Sequence, residues 1–223
     1  MSVYNSEKTI KKSVESIVNQ NFGNFDLLIM DDASDDGTLR ILQDLDKKYS
    51  LIKLYQNRVN LGLTKSLNIL LSQTDSTYIA RQDSDDISVD GRLQKQFNYL
   101  KKNQIDALTT RAYVIGSNKK IPKYSYLLPN NLVLKYKNPF IHGTLLATKE
   151  CIDKVGGYDE AFYYSQDYKL FSDLLNNNFK VKILNEILYG LNTKDNISSK
   201  FKQDQRYFAN CVKKNIIPKI FLG

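Results

Sequence analysis

At 223 residues, with 42% hydrophobic and 25% charged positions, the chain has an ordinary globular profile and enough length to bury an apolar core, so one compact domain is expected. Thirty-two Lys and Arg against 24 Asp and Glu give a formal net charge of +8, which suits nucleic acid, anionic headgroups or phosphorylated substrates without choosing among them. No run of about 18 apolar residues and no basic-then-apolar leader occur, which excludes a spanning helix and predicts a soluble or surface-bound cytoplasmic protein.

Apolar runs alternate with helical periods from the start. In "SEKTIKKSVESIVNQ" the residues Ile10, Val14, Ile17 and Val18 share one face, with Asn5 or Ser6 placed to cap the helix. The strand "FDLLIM" follows, then a helix over 38–48 with Ile41, Leu42 and Leu45 inward, the strand "LIKLYQN", and a turn at Gly62 opening a third helix in "NLGLTKSLNILLSQ". The strand "TYIA" and a helix over 92–102 complete a βαβ pattern that predicts a mostly parallel sheet. Further on, "ALTTRAYVIG" and "GTLLATK" read as strands, 116–139 as a long loop with a short helix, and 167–177 as a helix. Cys151 and Cys211 lack metal-ligand spacing and are expected to be unpaired thiols.

Acidic clusters fall where strands end: "DDASDDGT" after "LLIM", "DSDD" after "TYIA", and "SQDYKL" at the start of a late helix. In open parallel sheets, ligands bind beyond the carboxyl ends of the strands, so the first two clusters are expected to face one crevice. Carboxylates held together raise one another's pKa unless a cation offsets the repulsion, and Mg2+ or Mn2+ with oxygen ligands is the usual solution. A metal bound by one or two carboxylates fills its remaining positions with water and phosphates, which points to a phosphorylated ligand. The alternative reading is that these residues only form turns and helix caps.

The ordered set "VYNSEKTIKKSVESIVNQ", "LLIMDDASDDGT", "NLGLTKSLN", "YIARQDSDDIS", "HGTLLATKE", "GGYDE" and "SQDYKLF" resembles the nucleotide-sugar-dependent inverting glycosyltransferases of family 2. It looks closest to bacterial members that build capsules, exopolysaccharide and lipopolysaccharide. The resemblance implies a GT-A fold, a Rossmann-like α/β/α sandwich forming a single domain over 1–223. About 1–115 would be the nucleotide-sugar half and 116–223 the acceptor half. Only Met1 and Ser2 precede "VYN", so the first strand is expected to be truncated, and an inactive remnant is one reading of that start.

Carried onto this sequence, the resemblance implies that Tyr4 stacks on the donor nucleobase with Ser2 beside it. Asp32 would accept the base N–H, favouring a UDP- or dTDP-linked sugar. Lys65 and Arg81 would stabilise the diphosphate and Asp83 would contact the ribose, while Asp85, aided by Asp86, would bind Mn2+ or Mg2+. Asp167 would be the general base for a glycan or polyprenol-linked acceptor. His142, Tyr158 and Asp159 would lie on the acceptor side. Each residue also has a plainer reading: Tyr4 as a packed aromatic, Lys65 as a solvated helix residue, Asp167 as a helix N-cap, His142 as a structural histidine.

The chain has no Trp, so it lacks the Gln-x-x-Arg-Trp motif of processive synthases, and single-sugar addition is expected. A nucleotidyltransferase would ordinarily carry a Gly-rich basic loop after its first strand, which "VYNSEKTI" is not. A nucleic-acid-binding module is the remaining rival class, but no basic stripe interleaved with aromatics stands out, and no nucleic-acid partner is expected. The C-terminal "VKKNIIPKIFLG" has two readings, peripheral contact with the inner face of an anionic membrane or packing on the domain.

Overall fold

The computed structural model describes residues 1–194 and 201–219. The first half alternates β1 (Ser2–Val3), α1 (Ile10–Val18), β2 (Leu27–Asp31), α2 (Thr38–Lys48), β3 (Ile52–Gln56), α3 (Leu63–Ser72), β4 (Tyr78–Ala80), β5 (Ile87–Ser88) and α4 (Arg92–Asn103). The second half carries β6 (Ala107–Val114), β7 (Lys120–Ile121), α5 (Asn130–Leu134), β8 (Leu146–Thr148), α6 (Lys149–Lys154), α7 (Gln166–Asn176), β9 (Val181–Leu191) and α8 (Lys202–Lys214).

The 3.6-residue period of α1 turns Ile10, Val14 and Ile17 inward, each at most 3% exposed, against Leu42 and Leu45 of α2 and Ile29 of β2 in one cluster. The expected cap is absent: the chain turns at Ser6, whose carbonyl accepts from the Thr9 and Ile10 amides, and no side chain caps α1.

Strands β1, β2 and β3 form a parallel sheet in which Val3 pairs with Asp31 and Asp31 with Gln56. The first strand is thus two residues long and paired. A second sheet runs β4-β8-β6-β9-β5, with β7 added on β6. Here the expectation of mostly parallel strands gives way: β6 and β9 are parallel, whereas β4 with β8, β6 with β8, β5 with β9 and β6 with β7 are antiparallel. The connections in this half are turns and short helices, without the regular βα alternation that imposes parallel pairing.

A separate cluster of Phe140, Leu145, Ile152, Phe162, Phe171, Leu174 and Phe208 ties β8, α6, α7 and α8 together. Cys151 and Cys211 are free and buried, and burial pushes the Cys151 thiol up to about 11. Among the described residues no helix is long and apolar enough to cross a membrane.

Candidate active site

Strand β4 ends at Ala80, and the next six residues carry the acids. A buried polar frame fixes this loop. Ser13 Oγ on α1 donates to the Asp83 carbonyl (2.7 Å), and Gln82 Nε2 donates to Ser13 Oγ (2.9 Å) and the Asp86 carbonyl (3.0 Å). Arg92, fully buried, donates to the carbonyls of Arg81 (3.0 Å) and Gly143 (3.2 Å). The Tyr189 hydroxyl on β9 accepts from the Asp83 amide (3.1 Å). Elements far apart in sequence therefore hold one short loop rigid.

Its electrostatics follow from crowding. Arg81 Nη2 meets Asp83 Oδ1 at 2.5 Å. Arg81 is 4% exposed, and its Nε and Nη1 have no hydrogen-bond partner. Burial pushes the Asp85 carboxyl up to about 6, helped by the charge of Asp83. Burial raises Asp86 further, to about 8, with Asp83 and Asp85 adding to it. Asp86 is 2% exposed and its Oδ1 accepts from the Asn192 amide at the end of β9 (2.7 Å). Asp85 is thus the more open of the expected metal pair, and Asp86 is turned into the fold. Among the described residues no three His, Cys, Asp or Glu side chains converge as a metal cage. Two surface clefts of about 390 and 470 Å³ lie elsewhere, lined by residues such as Phe25 and Leu51 or Lys12 and Asp90.

On the β2 side, Asp32 is 2% exposed and its carboxylate is already engaged. Oδ1 accepts from Asn57 Nδ2 (2.7 Å) and the Leu61 amide (2.9 Å), and Oδ2 from the Gly62 amide (2.8 Å). Asp32 therefore anchors the turn that opens α3, where Gly62 adopts φ +84°, a left-handed conformation suited to glycine. A Cβ there would also stand 2.8 Å from the Tyr163 ring. Its neighbour Asp31 is fully buried, with Oδ1 lacking a partner. Tyr4 is 48% exposed beyond β1, Ser2 is half-buried, and Lys65 stands exposed on the first turn of α3. Tyr4 is thus not a core aromatic.

Asp167 sits in the first turn of α7, two residues past the N-cap position held by Ser165, which overturns its reading as the cap itself. Asn138 Nδ2 donates to its Oδ2 (2.8 Å). Burial raises its pKa, with Asp83 adding to the effect against hydrogen bonds from the Tyr168 amide and Asn138. His142 Nε2 lies 2.7 Å from the Tyr158 hydroxyl, and burial with the nearby charge of Arg81 lowers its pKa to about 3, so the imidazole is neutral at physiological pH. The neighbouring Gly143 is required by proximity: a Cβ there would run into the Tyr189 hydroxyl and lie 2.8 Å from Asp83 Oδ2. Asp159, in contrast, serves its own turn, accepting from the Ala161 amide (2.9 Å) and facing Lys169 at 3.7 Å.

The sequence reading passed over Asn57, Arg92, Asn138, Tyr189 and Asn192. Each acts through a partner 25 or more residues away, and none belongs to a motif that spacing alone reveals.

An α/β fold that gathers carboxylates at the ends of β2 and β4 and sets a further acid at the start of α7 defines the GT-A class. The sequence model of glycosyl transferase family 2 matches residues 1–158, and the chain belongs to that family. It is 37% identical over 161 residues to EpsE of Bacillus subtilis, covering 71% of this chain and 58% of that one. It is 33% identical over 184 residues to the O-antigen biosynthesis glycosyltransferase WbnJ of Escherichia coli, covering 79% and 70%. The fold also superposes on S. aureus TarS 1-349, solved in complex with UDP-GlcNAc, with a TM-score of 0.75 at 20% identity, over 90% of this chain and 59% of that one.

Proposed function

We propose that the protein transfers one sugar from a nucleotide-sugar donor, UDP- or dTDP-linked, to a hydroxyl of a glycan or polyprenol-linked acceptor in bacterial surface-polysaccharide synthesis. The observation that carries this reading is the set of acids on the loop after β4, where Asp83 pairs with the buried Arg81, together with Asp167 at the start of α7, held there by Asn138.

In this scheme the acceptor hydroxyl gives its proton to Asp167 as its oxygen bonds the anomeric carbon, and the bond from that carbon to the donor phosphate breaks. Attack from the face opposite the leaving group inverts the centre. A carboxylate whose pKa is raised accepts such a proton better than an ordinary one. Asn138 orients Asp167 by donating to Oδ2. Arg81, with two nitrogens unpartnered, and Lys65 offer positive charge to the departing diphosphate. Tyr4 offers an exposed ring to the base and Ser2 stands beside it. Asp83 would contact the ribose. Asp32, which closes the Gly62 turn, would accept the base N–H as a further donor. Neutral His142, with Tyr158, borders the acceptor side.

The donor set fits a hard divalent ion such as Mn2+ or Mg2+: Asp85 would be an oxygen ligand, and its ionisation is suppressed by burial and by Asp83, the condition a cation would relieve. Asp85 would hold the ion, with donor phosphates and water completing its shell and Asp86 supporting the loop behind it. When bound, the ion supplies neutralisation of charge on the leaving diphosphate.

The test is incubation with UDP- and dTDP-sugars and Mn2+, reading released nucleoside diphosphate. Release from at least one donor, stimulated by the metal, is expected. Release from none, with nucleotide binding absent by calorimetry, would exclude the reading.

A further inference from the structure

Between Asp106 and Glu150 the chain contains no Asp or Glu, whereas Lys119, Lys120, Lys123, Lys135 and Lys137 all fall there and are exposed. Within this acid-free run Tyr124, Leu127, Leu128, Leu132 and Tyr136 are exposed by 65, 68, 54, 49 and 72%. The sequence reading treated this stretch as a connecting loop and overlooked its interleaving of lysines with apolar side chains.

The exposure does not come from slack. Arg111 Nε donates to the Pro122 carbonyl (3.2 Å), and its guanidinium lies 4.5 Å over the Tyr126 ring. Asn130 Nδ2 donates to the Val181 carbonyl (2.8 Å), and Val133 and Leu134 are buried. The Tyr168 hydroxyl donates to the Leu134 carbonyl. The fold thus pins the backbone while leaving three leucines and two tyrosines in water, as at surfaces that meet a partner.

Charge and chemistry select the partner. A second copy of the same segment would oppose lysines to lysines with no acid between them. A nucleic acid would engage the lysines and stack on the tyrosines but leave Leu127, Leu128 and Leu132 without a role. An anionic bilayer uses all three kinds of side chain: leucines enter the boundary between headgroups and acyl chains, tyrosines sit at the headgroup level, and lysines meet the phosphates.

We propose that the segment 119–137 docks the protein on an anionic phospholipid bilayer. Asn138, the next residue, holds Asp167, so the docking segment adjoins the residue that orients that acid. The proposal does not depend on the transferase reading, and its test uses no activity.

The test is co-sedimentation of the full chain with vesicles of phosphatidylglycerol in phosphatidylcholine and with vesicles of phosphatidylcholine alone. Binding to the anionic vesicles, weakened by salt, is expected. Leu127→Ser, Leu128→Ser and Leu132→Ser are each expected to weaken binding by up to about tenfold, and Lys135→Gln by about fivefold. These side chains are exposed, so the circular dichroism and melting temperature should remain those of the wild type. Ile216→Ser with Ile217→Ser, in a separate exposed apolar stretch, should leave binding unchanged. Equal binding to both vesicles, or leucine variants that bind like wild type, would overturn the proposal. So would loss of binding only in the Ile216 and Ile217 variant. Two other outcomes would do the same: single-stranded RNA retained in place of vesicles, or a dimer that the leucine substitutions disperse.

Discussion

Arg81 and Asp83 form an ion pair at 2.5 Å in which the arginine is almost wholly enclosed and two of its nitrogens have no other partner. Removing the cation leaves Asp83 facing Asp85 and Asp86 without its ion-pair partner. Arg81→Gln is therefore expected to cost about 2 kcal/mol, less than a fully buried pair because Asp83 is partly exposed. That corresponds to a melting temperature lower by roughly 4 to 8 °C. An unchanged melting temperature would show that the pair contributes nothing to the fold.

Gly143 lies against that same aspartate. Gly143→Ala would drive a methyl group into the space held by the Tyr189 hydroxyl and Asp83 Oδ2, and overpacking of this kind costs about 1 to 3 kcal/mol. Transfer should fall by tenfold or more, following from a displacement of about 1 Å at a positioned group, while the protein stays folded. Steady-state kinetics beside a thermal melt would check this, and wild-type kinetics would contradict it.

Asp32→Asn replaces an acceptor of three N–H groups with a side chain that must turn its own N–H₂ toward one of them. The cost is expected at about 1 to 3 kcal/mol. Hydrogen exchange should accelerate at whichever of the Leu61 and Gly62 amides meets the new N–H₂, because the two bond different oxygens and only one oxygen remains. Unaltered protection at both amides would refute the anchoring role.

Much of this was open to sequence reading. Helix α2 begins and ends where the periodicity of Ile41, Leu42 and Leu45 places it, and α3 opens at Gly62 as its turn signal predicts. Local rules suffice there because each helix buries one face. Strand β9 was missed: Lys182, Asn185 and Glu186 interrupt its apolar residues, and its register against β6 shifts near Arg111, so no period of two survives. The clustering of acids at strand ends was legible, and the engagement of Asp32 was not, since Asn57 and Leu61 reach it only through the fold. The C-terminal reading rested partly on Ile220, Phe221 and Leu222, which lie outside the described residues. Of the residues before them, Ile216 and Ile217 are exposed.

The carboxyls of Asp85 and Asp86 are raised from an ordinary 3.8 to about 6 and about 8. Both bind protons more tightly when folded, so their contribution to stability is full below about pH 4 and is lost as pH rises through about 6 and 8. A divalent ion binding the ionised form should reverse that loss. Mn2+ is therefore expected to raise the melting temperature more at pH 8 than at pH 5, and Asp85→Asn should abolish the difference. Equal shifts at both pH values, or shifts that survive Asp85→Asn, would contradict the assigned metal role.

The account rests on Asp167 as the group that takes the acceptor's proton. The direct test is the transfer rate of Asp167→Asn with a donor identified by screening, beside nucleotide affinity measured by calorimetry. We predict a loss of about 100- to 10,000-fold in transfer with donor affinity close to that of the wild type. Transfer at the wild-type rate would contradict the assignment.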